Sequence, residues 1–169
     1  MINIVTIQVL KEINSGKIAL VPIAINEKGF GSETNVYSEL NTDIGADELG
    51  KEINKMKYRA TQIGIVNVKD EVNVWKIISL AKTRKRFCSE WERVLVYCNQ
   101  NSDTLYGIPS GFEITASKFD GQDFLGTNYM PRYNLPLGVS DEELGKTILE
   151  AFSQIKDIVL RGSNYNFES

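Results

Sequence analysis

Two apolar runs rich in β-branched residues, 4–10 and 18–25, open the chain, with Asn14-Ser15-Gly16 between them. Apolar runs of this length joined by a turn triplet predict a β-hairpin. Residues 27–33 read as a loop, and residues 35–40 alternate as a third strand does. A helix is predicted over about 46–57, where Leu49, Ile53 and Met56 make a short apolar stripe. Residues 62–68 predict a short strand. Residues 72–81 predict a short helix, with Val74, Trp75, Ile77, Ile78 and Ala81 as its apolar positions. Three strands are expected next, at 92–98, 104–108 and 112–118, joined by a polar loop at 99–103 and a tight turn at Pro109-Ser110-Gly111. Residues 119–126 form a polar loop. Residues 129–137 contain Pro131 and Pro136, so a strand there belongs at an edge or is irregular. The last helix, about 140–156, carries the strongest pattern: Leu144, Ile148, Ala151, Phe152 and Ile155 share one face. Residues 162–169 are expected to fray. This order predicts an α+β fold, a mostly antiparallel sheet with two to three helices packed on it. It forms one domain over residues 1–169, with residues 1–40 as the N-terminal hairpin region.

The start of the last helix has an echo. Asp47-Glu48-Leu49-Gly50-Lys51-Glu52-Ile53 matches Glu142-Glu143-Leu144-Gly145-Lys146-Thr147-Ile148, 95 residues later (142 against 47). Each copy follows a predicted strand and opens a predicted helix. Either one strand–turn–helix device is used twice, or two helices converged on the same first turn. In the later copy Ser140 is a good N-cap with Glu143 at the capping-box spacing, and three acids complement the helix dipole. For the earlier copy the cap is Gly45 or Asp43. Gly145 costs about 1 kcal/mol of helix propensity against alanine, so a close backbone neighbour is expected to compensate.

Composition narrows the chemistry. At 42% hydrophobic and 24% charged, the 169 residues have the balance of an ordinary globule. No apolar run approaches the roughly 18 residues of a membrane span, and the N-terminus lacks the basic start of a signal peptide. A cytoplasmic protein without a membrane partner is therefore expected. The chain has no histidine, which excludes Ser-His-Asp and Cys-His catalysis and histidine-bound zinc. Cys88 and Cys98 cannot make a four-cysteine metal site, and reduced cysteines packed in or beside the sheet are expected. No phosphate loop or nucleophile elbow is present, Ser110 reads as a turn residue, and no pair of carboxylates is marked by its surroundings. An enzyme, a metal site and a cofactor are not expected.

The net charge of −3 is uneven: residues 103–169 hold ten acids and five bases, residues 1–102 twelve acids and fourteen bases. An acidic second part suits a basic protein partner. Asp103, Glu113, Asp120 and Asp123 lie on or beside its loops and are the candidate binding residues. The alternative is nucleic acid, bound by Lys82, Arg84, Lys85 and Arg86 with Phe87, Trp91, Tyr97, Tyr106 and Phe112 stacking on bases. The plainer reading of the same residues is a solvated connection beside an aromatic core, with Glu90 and Glu92 diluting the charge.

The segment from Leu135 to Phe152, with Ser140-Asp141-Glu142-Glu143-Leu144-Gly145 at its centre, resembles the immunity proteins of bacterial contact-dependent growth inhibition systems. Lys82 to Phe87, the strand around Val94 to Tyr97 and the turn at Pro109 are similar to that family's middle. The resemblance covers roughly residues 75–155 and does not include residues 1–40. It implies a non-catalytic cytoplasmic protein that binds the toxic C-terminal domain of a secreted effector one to one. Such a toxin is often a basic nuclease, blocked by covering its active site or substrate groove. Partner pairing in the family is strict, so no interface residue carries over from the motif.

Overall fold

The structure, a computed structural model, describes residues 4–103, 107–125 and 131–158. The predicted hairpin forms from β1 (Ile4–Glu12) and β2 (Ile18–Asn26), paired antiparallel. Two short strands, β3 (Gly31–Ser32) and β4 (Ser38–Leu40), pair in turn with β2. Pro22 lies in β2 between these two pairings. A proline has no N–H for a ladder, and here it sits where the neighbouring strand is interrupted. Helix α1 (Ala46–Thr61) runs a turn beyond the predicted end. It is followed by β5 (Ile65–Val66), shorter than predicted, which pairs parallel with β2, and by a 3-10 turn at Val68–Asp70. Helix α2 (Trp75–Ile78) is a single turn within the predicted range.

Residues 82–86 are not a simple connection. Thr83 accepts a hydrogen bond from the Arg86 amide at 3.1 Å and caps helix α3 (Arg84–Glu90), which buries Phe87 and Cys88. The run of positive charge hid both the cap and the inward pair. Two long strands follow, β6 (Trp91–Asn99) and β7 (Gly111–Phe119). Most of the strand predicted at 104–108 lies outside the described residues; Gly107 is in a turn and Ile108 makes an isolated bridge. Strands β8 (Phe124–Leu125) and β9 (Arg132–Leu135) pair with β7. Helix α4 (Asp141–Gln154) begins as predicted, with Ser140 Oγ accepting from the Glu143 amide at 3.1 Å. The predicted frayed tail, 162–169, lies outside the described residues.

The described strands make one sheet in the order β3-β2-β1-β6-β7-β8, with β4 and β5 also on β2 and β9 also on β7. The order reads alike from both ends, because the echo in the sequence marks a repeat in space. Strands β1, β2, β3, β4 and helix α1 recur as β6, β7, β8, β9 and α4, and β1 pairs with β6 antiparallel across an approximate two-fold axis. Registers match: Ile18 opposes Leu40, and Phe112 opposes Leu135, 95 residues after Leu40. The helix contacts match too. A Cβ built on Gly50 would lie 1.8 Å from the Asp141 carbonyl oxygen, and one on Gly145 would lie 1.8 Å from the Ala46 carbonyl oxygen. Each glycine admits the first turn of the other helix, and Asn54 Nδ2 donates to Asp141 Oδ1 at 2.7 Å beside the crossing. Convergence of two unrelated first turns does not account for this reciprocity.

The sheet separates two cores. On one side α1 and α4 cover Ile7, Val9, Leu20, Val94, Val96 and Ile114 through Leu49, Ile53, Leu144, Ile148 and Phe152. On the other side α2 and α3 cover Leu10, Ala19 and Val21 with Val74, Trp75, Phe87 and Trp91. Both cysteines are free and buried, Cys98 in the first core and Cys88 in the second. Burial pushes the Cys88 thiol up to about 11, which disfavours the reactive thiolate at neutral pH.

Candidate partner-binding face

The second core covers the first repeat's half of the helix-free side of the sheet. On the second repeat's half the same side carries Arg93, Leu95 and Tyr97 from β6, Glu113, Thr115 and Ser117 from β7, and Arg132 and Asn134 from β9. Strand alternation puts these residues on one face. The repeat supplies an internal comparison. The places held by Leu10, Ala19 and Val21 in the first repeat are held by Tyr97, Glu113 and Thr115 in the second. Apolar residues became polar where the segment containing α2 and α3 has no counterpart among the described residues.

The polar face is organised rather than loosely solvated. Arg93 Nε donates to Ser117 Oγ at 3.1 Å, and its guanidinium lies 5.0 Å from the centre of the Phe124 ring. Burial lowers the Arg93 value and raises that of the half-buried Tyr97 phenol, with Arg93 pulling the phenol the other way. Glu113 and Thr115 are each only 7% exposed. Next to this face, toward the first repeat, a cleft of about 540 Å³ is lined by Gln8, Glu33, Glu71, Arg84 and Asp123. Glu33 accepts from Gln8 Nε2 at 2.7 Å and from the Val74 amide at 2.9 Å. Glu71 is held below its ordinary value by the Ser32 hydroxyl and then the Asn26 amide.

The four acids singled out in the sequence do not form one patch. Asp103 and Glu113 lie toward one end of β7, and Asp120 and Asp123 lie beyond the other. Glu113 to Asp120 is seven residues, about 23 Å of extended chain. Asp123 is engaged: its Oδ1 accepts from the Phe124 amide at 2.7 Å, from Arg84 Nη2 at 3.2 Å and from the Cys88 thiol at 3.3 Å. Asp120 clasps its own loop, accepting from the Gln122 and Asp123 amides at 2.8 and 2.9 Å. Those amides, Asp123 first, hold its carboxyl below the ordinary value. A lowered folded value contributes stability above the ordinary pKa, and that stability is lost as pH falls through the folded one. Asp120→Ala is therefore expected to lower the urea midpoint at pH 7, with the gap to the parent closing toward pH 2. A gap that stays constant over that range would show that the ionised carboxylate does not hold the loop.

The nucleic-acid reading loses several of its parts, while Lys82 and Lys85 stay exposed. Arg84 is paired with Asp123 and lies over the Phe87 and Phe124 rings, and Arg86 is paired with Glu90 at 2.6 Å. Phe87, Trp91 and Phe112 are at most 2% exposed and cannot stack on a base. Tyr106 lies outside the described residues, so Tyr97 is the described aromatic of that set with a partly open ring. No helix among the described residues is long and apolar enough to cross a membrane.

The fold is that of a known class of structures. The chain is similar to a chain of the CdiA-CT/CdiI toxin and immunity complex from Yersinia pseudotuberculosis, with a TM-score of 0.63 and 11% identity over 90% of this chain and 98% of that one. It is also similar to a protein of unknown function from Neisseria meningitidis, with a TM-score of 0.53 and 13% identity over 88% of this chain and 94% of that one. No family model matches the sequence, and no curated protein does. At these identities the likeness is one of fold, and it spans both repeats.

Proposed function

We propose that the chain is an immunity protein of contact-dependent growth inhibition. It binds the C-terminal toxin domain of its cognate effector in the cytoplasm, one to one, and neutralises it by covering the active site or the substrate groove. The observation that carries this reading is the extent of the structural likeness, 90% of this chain against 98% of a chain from a toxin and immunity complex. Residues 135–152 resemble the same family in sequence, which points the same way. A histidine-free chain in which Asp120 clasps its own loop and Asp123 pairs with Arg84 also suits a binding role better than catalysis. The acidic balance of residues 103–169 favours a basic toxin, a nuclease above all.

The test is protection in cells. Expression of the effector's C-terminal domain, encoded beside this chain, is expected to arrest growth, and co-expression of the chain to restore it. Toxins of unrelated effectors should not be neutralised. Persistent arrest with the chain present at excess would refute the proposal, and so would turnover of nucleic acid by the purified chain that disappears on mutation of one acid.

A further inference from the structure

The two repeats differ in charge at places the fold leaves free. Gly50 and Gly145 set α1 and α4 in register, so Lys55, Tyr58, Arg59 and Gln62 correspond to Glu150, Ser153, Gln154 and Asp157. Residues 53–69 hold four bases and no acid, although the chain has 22 acids. The helix dipole favours a cation near a C-terminus, but α4 has none in its last turn, so this helix device does not require one. Tyr58 is 69% exposed, and a serine serves at the equivalent place.

Tyr58 and Arg59 stand between two open clefts. One, of about 560 Å³, lies between the end of α1, β5 and residues 34–36, and Gln62 and Ile65 also line it. The other, of about 640 Å³, lies beside Lys51, Asn54 and Lys55. Ile65 is 73% exposed, so a large apolar side chain faces solvent in the cleft that Tyr58 lines. Lys51 and Lys55 are paired with Asp47 and Glu52 along the helix. Arg59 Nη1 donates to Ser38 Oγ at 2.8 Å, and among the described residues no carboxylate pairs with its guanidinium. Asp70 lines the first cleft without pairing with Arg59, and Asp141, in the second, accepts from Asn54.

An exposed tyrosine beside an arginine with no acid partner pairs two residue types that anchor protein interfaces. What fits them is a carboxylate for the guanidinium and apolar surface for Tyr58 and Ile65. We infer that the Tyr58–Arg59 ridge is a docking surface for an acidic segment of the toxin domain. A carboxylate of that segment accepts from the Arg59 guanidinium, and a flanking apolar side chain packs against Tyr58 and Ile65 in the first cleft. The toxin proposed above is basic in balance, and this ridge meets an acidic part of it. The assignment rests on the proposed function, since it names where and by what chemistry the toxin engages.

The repeat supplies the variants. Tyr58→Ser and Arg59→Gln install the residues that α4 carries at the equivalent places, so each free protein should unfold in urea as the parent does. Binding to the catalytically inactivated toxin domain, followed by calorimetry, should weaken by about tenfold or more in each. Arg59→Glu should weaken it about tenfold further than Arg59→Gln, because two carboxylates then face each other. Parent-like affinity in Tyr58→Ser and Arg59→Gln, with the parent binding tightly, would overturn the docking surface and leave the immunity reading standing. Equal affinity of Arg59→Glu and Arg59→Gln would also overturn it, since the group opposite Arg59 would then not be acidic. A lowered urea midpoint in both variants that accounts for the lost affinity would assign the two residues to the fold instead. Binding of a short RNA or DNA duplex by the parent that Arg59→Gln abolishes, with toxin affinity unchanged, would assign the ridge to nucleic acid and overturn the inference. A parent that does not bind the domain would remove the functional reading, and the docking surface with it.

Discussion

Gly145→Ala is expected to destabilise the protein by about 3 kcal/mol or more, at the upper end of overpacking effects. Helix propensity alone predicts the opposite, since alanine gains about 1 kcal/mol over glycine inside a helix. Packing decides the sign. The new methyl would lie 1.8 Å from the Ala46 carbonyl oxygen and 2.9 Å from the Ala46 Cα, and backbone cannot swing aside as a flexible side chain can. Relief requires α1 and α4 to separate, which opens the larger of the two cores. Gly50→Ala should behave alike, since its Cβ would meet the Asp141 carbonyl at the same distance. Gly138→Ala, where an added Cβ meets nothing within 4 Å, is the control and should be nearly neutral. Urea unfolding of the three variants checks the account. A Gly145→Ala protein at least as stable as the parent would mean the helices do not cross where the repeat places them.

The second large effect belongs to the apolar stripe of α4. Leu144 and Ile148 are fully buried and Phe152 nearly so, packed between α1 and the sheet. Leu144→Ala should cost about 2–5 kcal/mol and Phe152→Ala about 3–5 kcal/mol, the lost transfer energy plus the cavity left behind. Losses below about 0.5 kcal/mol, the range of surface changes, would place the stripe in solvent.

Much of this architecture was legible beforehand because local signals agreed with the global fold. The hairpin was marked by two β-branched runs around a turn triplet, and α4 by a cap, a first turn of acids and a one-sided stripe. Gly145 was informative because it broke a local rule, and the broken rule pointed to a neighbouring backbone. The echo at 95 residues was seen in two helical turns only; its extension to four strands could not be, since β6 and β7 share almost no side chains with β1 and β2. What those strands share is register.

Helix α3 was missed for a different reason. Lys82, Arg84, Lys85 and Arg86 dominate the local composition, and Thr83 as a cap with Phe87 and Cys88 facing inward shows only once the sheet supplies something to pack on. The partner surface was legible as a net charge and not as a place. Counting acids weighted Asp103, Glu113, Asp120 and Asp123 equally. In space Asp120 serves its loop, Asp123 serves Arg84 and Phe124, and Glu113 is enclosed beside Thr115.

The proposed function requires that this chain neutralise a toxin by direct binding. Titrating the purified chain into the active C-terminal domain of the effector encoded beside it, while following that domain's turnover, tests this most directly. Direct binding is expected to give a linear fall to no activity at about one molar equivalent, the signature of a complex far tighter than the working concentration. Undiminished turnover at about a tenfold excess of the chain, where any inhibitor with affinity near the working concentration would be saturating, would contradict it.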